Sequence, residues 1–203
     1  QNGYLVTVAQ LCPSGLNEWK GTWLKLSEQG DSISNNSNTY SGFTEKLSNN
    51  DFIIYGGNQA GLVYDTVIIS RFNGQGQVKW DARNYIGNCP NNVYDISEDD
   101  NGAIYITGTY GTGNCNNSNF NSYILKLSSD GQFQWQKTFS EAFSSLQFYD
   151  IKTHEDTVLI AGFADSNSMN RQAFIASFRP DGQMIWKESI ASQSNNLNGY
   201  SIE

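Results

Sequence analysis

The stretch that decides the fold is SYILKLSSDGQFQW, residues 122–135, because the same pattern occurs three more times in the chain. The other copies are TWLKLSEQGDSI (22–33), VIISRFNGQGQVKW (67–80) and AFIASFRPDGQMIW (173–186). Each copy holds an apolar run, a turn that contains glycine and a second run, and three of the second runs end in tryptophan. The pattern predicts a β-hairpin whose turn glycine adopts positive φ.

Two further runs precede each hairpin. The run directly before the hairpin is YLVTVA (4–9), FIIYGG (52–57), AIYITG (103–108) and TVLIAG (157–162). The run before that is GFTEKL (42–47), VYDIS (93–97), FYDIK (148–152) and the closing YSIE (200–203). Four strands in a repeat of about 50 residues, without helical periodicity, are typical of β-propeller blades.

We therefore predict an all-β chain, a β-propeller with four blades of four antiparallel strands. The predicted blades are residues 200–203 with 4–35, then 42–82, 92–139 and 147–189. The run 200–203 could complete the first blade and close a four-bladed ring, or the chain could be part of a larger propeller. Residues 1–203 are thus a single propeller domain or a propeller segment.

Three tryptophans end the last strands of their repeats, namely Trp80, Trp135 and Trp186. Strict alternation along a strand would place Phe133 and Trp135 on one face. Because a blade with two apolar faces must pack against its neighbours, we expect the tryptophans to pack between blades. The alternative is a row of exposed rings that stacks on sugars.

The amino-acid composition limits the classes of partner that the chain can bind and the cellular compartment in which it is expected. The chain carries 12 Lys and Arg against 20 Asp and Glu, which disfavours a nucleic acid, since binding to phosphates needs clustered basic residues. No apolar run approaches the roughly 20 residues that cross a bilayer as a helix. Cys89 and Cys115 lie in similar Asn-rich and Gly-rich loops and predict a disulfide, which leaves Cys12 over. Together these features predict a secreted or cell-surface protein.

Residues that could carry chemistry are few. His154 is the only histidine, and nothing around it marks a nucleophile. One histidine and dispersed cysteines predict no zinc site. The acidic turn SEDDNG (97–102) lacks the spacing of a calcium loop. We therefore predict no catalytic residue, no metal site and no cofactor.

Asp95 and Asp150 each stand between Tyr and Ile in the first strand of a blade, which lines the channel of a propeller. With Ser201, and with Thr44 or Glu45, they could form a channel-lining ring that binds a polar ligand. Alternatively, they could bond to neighbouring backbone. Paired carboxylates also raise the possibility of glycoside hydrolysis.

Long loops follow the second strand of three repeats, at 9–21, 109–121 and 163–172. They are expected on one face of the blades, where a rigid array of sheets positions them for binding. The candidate contact residues on this loop face are Trp19, Tyr110, Asn114, Phe120 and Arg171.

Two pairs of motifs resemble the bacterial β-propeller repeats called SBBP repeats. They are SSDGQFQW with YDISEDDNGAIYITG, and RPDGQMIW with YDIKTHEDTVLIAG. Such repeats occur in secreted and surface proteins, including those of the Bacteroidetes type. The resemblance implies fold and location but no catalytic residue. We therefore expect a non-catalytic extracellular binding or scaffolding module that contacts a protein or a glycan through its loop face. The alternative is a propeller hydrolase or lyase that acts on a glycan through channel carboxylates.

Overall fold

The structure is a computed structural model. It describes residues 3–11, 19–40, 43–57, 66–87, 91–111, 120–139, 145–165, 171–190 and 201–202. In these ranges the chain forms fifteen β-strands and no helix, so nothing there could cross a membrane as a helix. The chain divides into two compact units, Gln1–Tyr85 and Ile86–Glu203.

The first unit contains two sheets of antiparallel strands. Blade 1 consists of β1 (Gly3–Leu11), β2 (Trp19–Ser27) and β3 (Ser32–Tyr40) in that order. Blade 2 consists of β4 (Phe43–Lys46), β5 (Phe52–Gly57), β6 (Thr66–Phe72) and β7 (Val78–Tyr85).

The second unit contains two complete blades. Blade 3 consists of β8 (Asn91–Glu98), β9 (Ile104–Gly111), β10 (Phe120–Leu127) and β11 (Phe133–Phe139). Blade 4 consists of β12 (Ser145–His154), β13 (Thr157–Asp165), β14 (Arg171–Phe178) and β15 (Met184–Ile190). Sequential strands are neighbours in every sheet, and three of the four sheets have four strands, so the predicted all-β fold of antiparallel propeller blades is confirmed. Blade 1 has three strands in the described residues.

The recurring hairpin turn has one geometry throughout. In blade 3 the Gly131 amide donates to the Ser128 carbonyl at 2.9 Å, and the Ser128 amide donates to the Gln132 carbonyl at 2.9 Å. Gly131 has a φ of 83°, and the equivalent glycines Gly30, Gly76 and Gly182 lie between 81° and 88°. The sequence prediction of positive φ at these glycines is therefore confirmed, and the turn is a type I turn closed by a glycine bulge.

A second bulge in each hairpin corrects the expected alternation. In blade 3, Leu127 pairs with Phe133 but Lys126 pairs with Trp135, so Gln134 is an extra residue in β11. The extra residue places Phe133 and Trp135 on opposite faces. Phe133 is 56% exposed, whereas Trp135 is half-buried against the core between blades 3 and 4. The same shift occurs in the hairpins of blades 1, 2 and 4.

Trp135 joins two blades, as predicted. Its indole N–H donates to the Pro180 carbonyl in the hairpin turn of blade 4 at 3.0 Å, and the Lys126 ammonium donates to the same oxygen at 3.2 Å. Blade 1 repeats half of this arrangement, because Lys25 donates to the Gly74 carbonyl at the same position of the blade 2 turn. The lysine that recurs in the hairpin motif is therefore a contact from one blade to the next.

Trp186 does not fit the prediction, because its side chain is 44% exposed. Ser177, not a lysine, pairs with it across the hairpin. Trp80 is half-buried in the first unit, and its role between blades stays a prediction.

The core of the second unit lies between blades 3 and 4. Tyr105 and Ile124 from blade 3 pack against a group of blade 4 side chains that includes Phe148, Ile160 and Phe174. All of these side chains are almost fully buried, so the two blades are held together chiefly by apolar burial.

Candidate functional site

The first strands of blades 3 and 4 each contain a β-bulge at the tyrosine of the Tyr-Asp-Ile motif. In β8 the pairing with β9 shifts between Val93 and Asp95, so Tyr94 is the extra residue. In β12 the same shift makes Tyr149 the extra residue. A bulge bends the strand and changes the direction in which its side chains project. As a result the two tyrosine rings meet edge to face, with centroids 4.9 Å apart.

Each aspartate of the motif accepts a backbone amide from a residue that follows later in the chain. One carboxylate oxygen of Asp95 accepts the Ile151 amide of blade 4 at 3.0 Å. In the same way an oxygen of Asp150 accepts the Ile202 amide at 2.5 Å. In the sequence repeat Ile202 follows Ser201 as Ile151 follows Asp150, so the two bonds join matching sequence positions, and the first of them links the inner strands of blades 3 and 4. Of the two alternatives left open for these aspartates, the structure shows the bond to neighbouring backbone.

The two carboxyl groups also interact with each other. Burial, followed by the hydrogen bond to Asp150, raises the pKa of Asp95 to about 7. Burial acts in the same upward direction on Asp150, but the hydrogen bonds from Asp95 and Ile202 and the charge of Lys152 together lower its pKa. Asp95 is therefore protonated below neutral pH and donates to the Asp150 carboxylate. The Lys152 ammonium lies 3.9 Å from Asp95 and 3.7 Å from Asp150.

The second repeat breaks this arrangement. Phe43 pairs with Tyr55, which corresponds to Thr107 of blade 3, so Phe43 takes the place of Asp95. The expectation that Thr44 or Glu45 continues the ring of aspartates is therefore wrong by one or two residues. Ser201 directly precedes the Ile202 amide that Asp150 accepts, and it is exposed.

The loop end of blade 4 holds a fixed guanidinium. Arg171 donates to both carboxylate oxygens of Asp165, at 2.9 and 3.2 Å. Its guanidinium also lies 3.7 Å from the centroid of the Phe163 ring. Phe163 in turn contacts Tyr149, whose hydroxyl donates to Gln147 at 3.1 Å. A row of aromatic and polar side chains thus leads from the inner strand to Arg171.

The loop end of blade 3 carries two of the predicted contact residues. Tyr110 is the next-to-last residue of β9 and Phe120 begins β10, and both are half-buried. Asn91 of β8 and Asn121 of β10 both pair with Tyr110. Paired residues of an antiparallel sheet project on the same face, so these two amides flank the Tyr110 ring.

The other residues predicted for the loop face lie wholly or partly outside the described residues. Trp19 begins β2 and pairs with Leu11, and its side chain is outside the described part of the chain. Asn114 and the three cysteines, Cys12, Cys89 and Cys115, also lie outside the described residues. The Cys89–Cys115 disulfide therefore stays a prediction.

The opposite end of the blades presents a polar cavity of about 200 Å³ in the second unit. It is lined by Glu98, Asp99, Asp100, Thr153, His154 and Glu155. Asp99 is already used inside its own turn, where its carboxylate accepts the Asn101 and Ala103 amides at 2.9 Å. Among the described residues no three His, Cys, Asp or Glu side chains are arranged to hold a metal ion.

Sequence reasoning missed several residues of the loop end and the inner strands. These are Asn91, Tyr94, Asn121, Gln147, Tyr149, Lys152, Phe163 and Asp165. The repeated Tyr-Asp pair was a usable signal for the two tyrosines, because a polar and an aromatic residue recur side by side at the same strand position. For the others the sequence holds no comparable signal.

Comparison with known proteins finds similarity to a solved structure but to no known sequence. No protein-family model and no curated protein sequence matches the chain. Among solved structures the chain is similar to a subtype N10 neuraminidase-like protein of A/little yellow-shouldered bat/Guatemala/060/2010. The identity is 12% and the TM-score is 0.48, over 86% of this chain. The match spans 55% of the length of that neuraminidase-like protein.

Proposed function

We propose that the chain is a non-catalytic extracellular module that binds a protein or a glycan through the loop face of its blades. We further propose a bacterial secreted or cell-surface protein with SBBP-type repeats, on the sequence motifs given above. The observation that carries the binding role is the fixed state of Arg171 at the loop end of blade 4. Arginine is enriched in the residues that dominate binding interfaces.

The contacts of Arg171 prepare it for recognition. Two hydrogen bonds to Asp165 and the Phe163 ring hold the guanidinium before any partner arrives. A side chain that is already ordered loses less conformational entropy on binding. The side chain is still about one third exposed.

The inner-strand aspartates support the non-catalytic reading. The carboxyl groups of Asp95 and Asp150 accept hydrogen bonds from the amides of Ile151 and Ile202, and they are hydrogen-bonded to each other. Glycosidases need two carboxyl groups about 5 Å or more apart, with the sugar between them. Two carboxyl groups that are hydrogen-bonded to each other lie closer than that.

One observation favours the alternative, a propeller hydrolase or lyase that acts on a glycan. The pKa of Asp95 is raised to about 7 while that of Asp150 is lowered. Two neighbouring carboxyl groups with separated pKa values are the pattern of an acid and base pair. Turnover of a glycan that is abolished by Asp95→Asn or Asp150→Asn would establish this alternative.

Replacement of Arg171 tests the binding role. We expect Arg171→Ala to weaken partner binding about tenfold or more, because it removes an ordered interface cation. Arg179 is the matched control, since it follows the opposite end of the same strand and is exposed. Partners are captured from surface glycans and from a surface protein extract, and affinities are then measured with the purified partner. Equal loss of affinity in Arg171→Ala and Arg179→Ala, or in neither, would count against the loop face.

A further inference from the structure

The inner strand of blade 4 is attached to the inner strand of blade 3 at several points. One is the bond from the Ile151 amide to Asp95. Another is the Thr153 amide, which donates to the Ser97 hydroxyl at 3.0 Å. The Thr153 hydroxyl also donates to the Glu98 carbonyl at 2.7 Å, and the apolar core between the blades adds to these bonds. This attachment therefore does not depend on Asp95 alone.

Residues 201–202 are attached to blade 4 by one hydrogen bond in the part of the chain that the structure describes. It runs from the Ile202 amide to the Asp150 carboxylate at 2.5 Å. Lys152 stands where Ser97 stands in the preceding repeat, and an ammonium group cannot accept an amide as the serine hydroxyl does. Residues 201–202 are not part of a strand. Their attachment therefore depends on the Asp150 carboxylate.

The Asp150 carboxylate is in turn coupled to Asp95. Burial and the hydrogen bond to Asp150 raise the pKa of Asp95 to about 7, so below neutral pH Asp95 donates to Asp150. Above neutral pH both groups are charged, and like charges at hydrogen-bonding distance repel each other. The Ile151 amide, which belongs to a strand, holds Asp95 in place. The repulsion is therefore relieved at Asp150, whose amide partner belongs to no strand.

The other groups around the pair do not remove this repulsion. The Lys152 ammonium lies within 4 Å of both carboxylates, but its side chain is 46% exposed, so water screens its charge. The second strands of the two blades place Thr107 and Ala161 opposite the aspartates, and neither side chain carries a charge. The other titratable side chains next to the pair on the inner strands are those of Tyr94 and Tyr149.

We propose that the bond between Asp150 and Ile202 is a pH-sensitive latch, which holds residues 201–202 on the inner strand of blade 4 below neutral pH and releases them above it. The proton that Asp95 donates to Asp150 keeps the latch closed. Release leaves blades 3 and 4 together, because the remaining bonds between β8 and β12 and the apolar core do not involve this proton.

The test is the backbone order parameter of the Ile202 amide, measured by nitrogen-15 NMR relaxation. In wild-type protein we expect it to fall from a rigid value of about 0.85 at about pH 6 to below about 0.6 at about pH 8. The Ile151 amide is the reference within the same protein and stays rigid at both pH values. In Asp95→Asn the Ile202 amide stays rigid at both, because asparagine donates to Asp150 at every pH.

Two further variants make the test independent of how well Asp95→Asn folds. Lys152→Met removes a positive charge that lowers the pKa of Asp95, so release shifts to higher pH. Asp156→Asn changes an exposed carboxyl group in the turn after β12 and is expected to release residues 201–202 as wild-type protein does. An Ile202 order parameter that does not change with pH in wild-type protein overturns the latch. So does an equal change in Asp95→Asn, or a release that Lys152→Met leaves at the wild-type pH. The latch lies on the inner strand, so its failure leaves the loop-face proposal unaffected.

Discussion

Gly108→Ala is expected to prevent stable folding. A Cβ at residue 108 would lie 1.9 Å from the Asn92 carbonyl oxygen and 2.7 Å from the Tyr123 hydroxyl. The Asn92 oxygen belongs to the backbone of the neighbouring strand, so it can move only if the β8–β9 pairing opens. We expect a loss of about 4 kcal/mol or more, a large part of the stability of an ordinary domain.

The same argument holds for the equivalent glycine of blade 4. A Cβ at Gly162 would lie 1.9 Å from the Gln147 carbonyl oxygen. Both glycines face the strand just before the bulged tyrosine, where the inner strand comes closest to its neighbour. The glycine that ends the second run of these repeats is thus required by close approach of two backbones.

Gly30→Ala is the matched control, because a Cβ there meets no heavy atom within 4 Å. Its φ of 88° still disfavours alanine, at about 1–2 kcal/mol. Thermal melting followed by circular dichroism compares the three proteins. The account of the bulge is wrong if Gly108→Ala melts at the temperature of Gly30→Ala.

Asp51→Ala is expected to have the second large effect. Asp51 is 5% exposed and accepts hydrogen bonds at 2.8 Å from Arg71, which is 3% exposed, and from Lys79. Burial opposes ionisation of Asp51, but the hydrogen bonds from Lys79 and Arg71 outweigh it and lower the pKa of the carboxyl group. Loss of the carboxylate removes a counter-charge of the buried Arg71 guanidinium, which costs about 3–5 kcal/mol.

Two further variants separate this effect from general damage. Asp81→Ala changes an exposed aspartate of the same blade and is expected to shift stability by no more than about 0.5 kcal/mol. Asp51→Ala with Arg71→Met removes both buried charges and is expected to regain most of the loss. Urea unfolding measures all of them. A loss in Asp51→Ala as small as in Asp81→Ala would show that the pair contributes little.

The fold was predictable because its signals are local. Turn glycines such as Gly131 recur at regular spacing, and each is flanked by apolar runs that alternate as strands do. The bulges were not predictable in this way. An extra residue such as Gln134 does not disturb the alternation of apolar residues in the sequence, yet it places Phe133 on the opposite face of the strand from Trp135.

The candidate site was predictable only in part because its contacts cross the fold. Arg171 was foreseen as a loop residue, but its bonds to Asp165 and its position over Phe163 depend on strand register. The bond from Ile202 to Asp150 likewise joins residues that are far apart in the chain. A single sequence carries no local signal for such a contact.

The central claim is that the inner-strand aspartates join blades, which leaves recognition to the loop ends. Asp95 has a pKa of about 7 in the folded chain against a usual value of 3.8. Between pH 3.8 and about 7 the folded protein therefore binds a proton at Asp95 that the unfolded chain does not bind. The stability that this proton supplies is present below pH 3.8 and is lost as the pH rises to about 7. The slope can reach about 1.4 kcal/mol per pH unit.

The most direct measurement is the free energy of unfolding of wild-type protein and Asp95→Asn across that window. An asparagine can accept the Ile151 amide and donate to Asp150 at every pH, as protonated Asp95 does only below its pKa. We predict that wild-type stability falls from pH 3.8 to about 7, that this fall is absent in Asp95→Asn, and that partner binding is unchanged. An identical pH dependence in both proteins, or a glycan-cleaving activity that Asp95→Asn abolishes, would contradict the account.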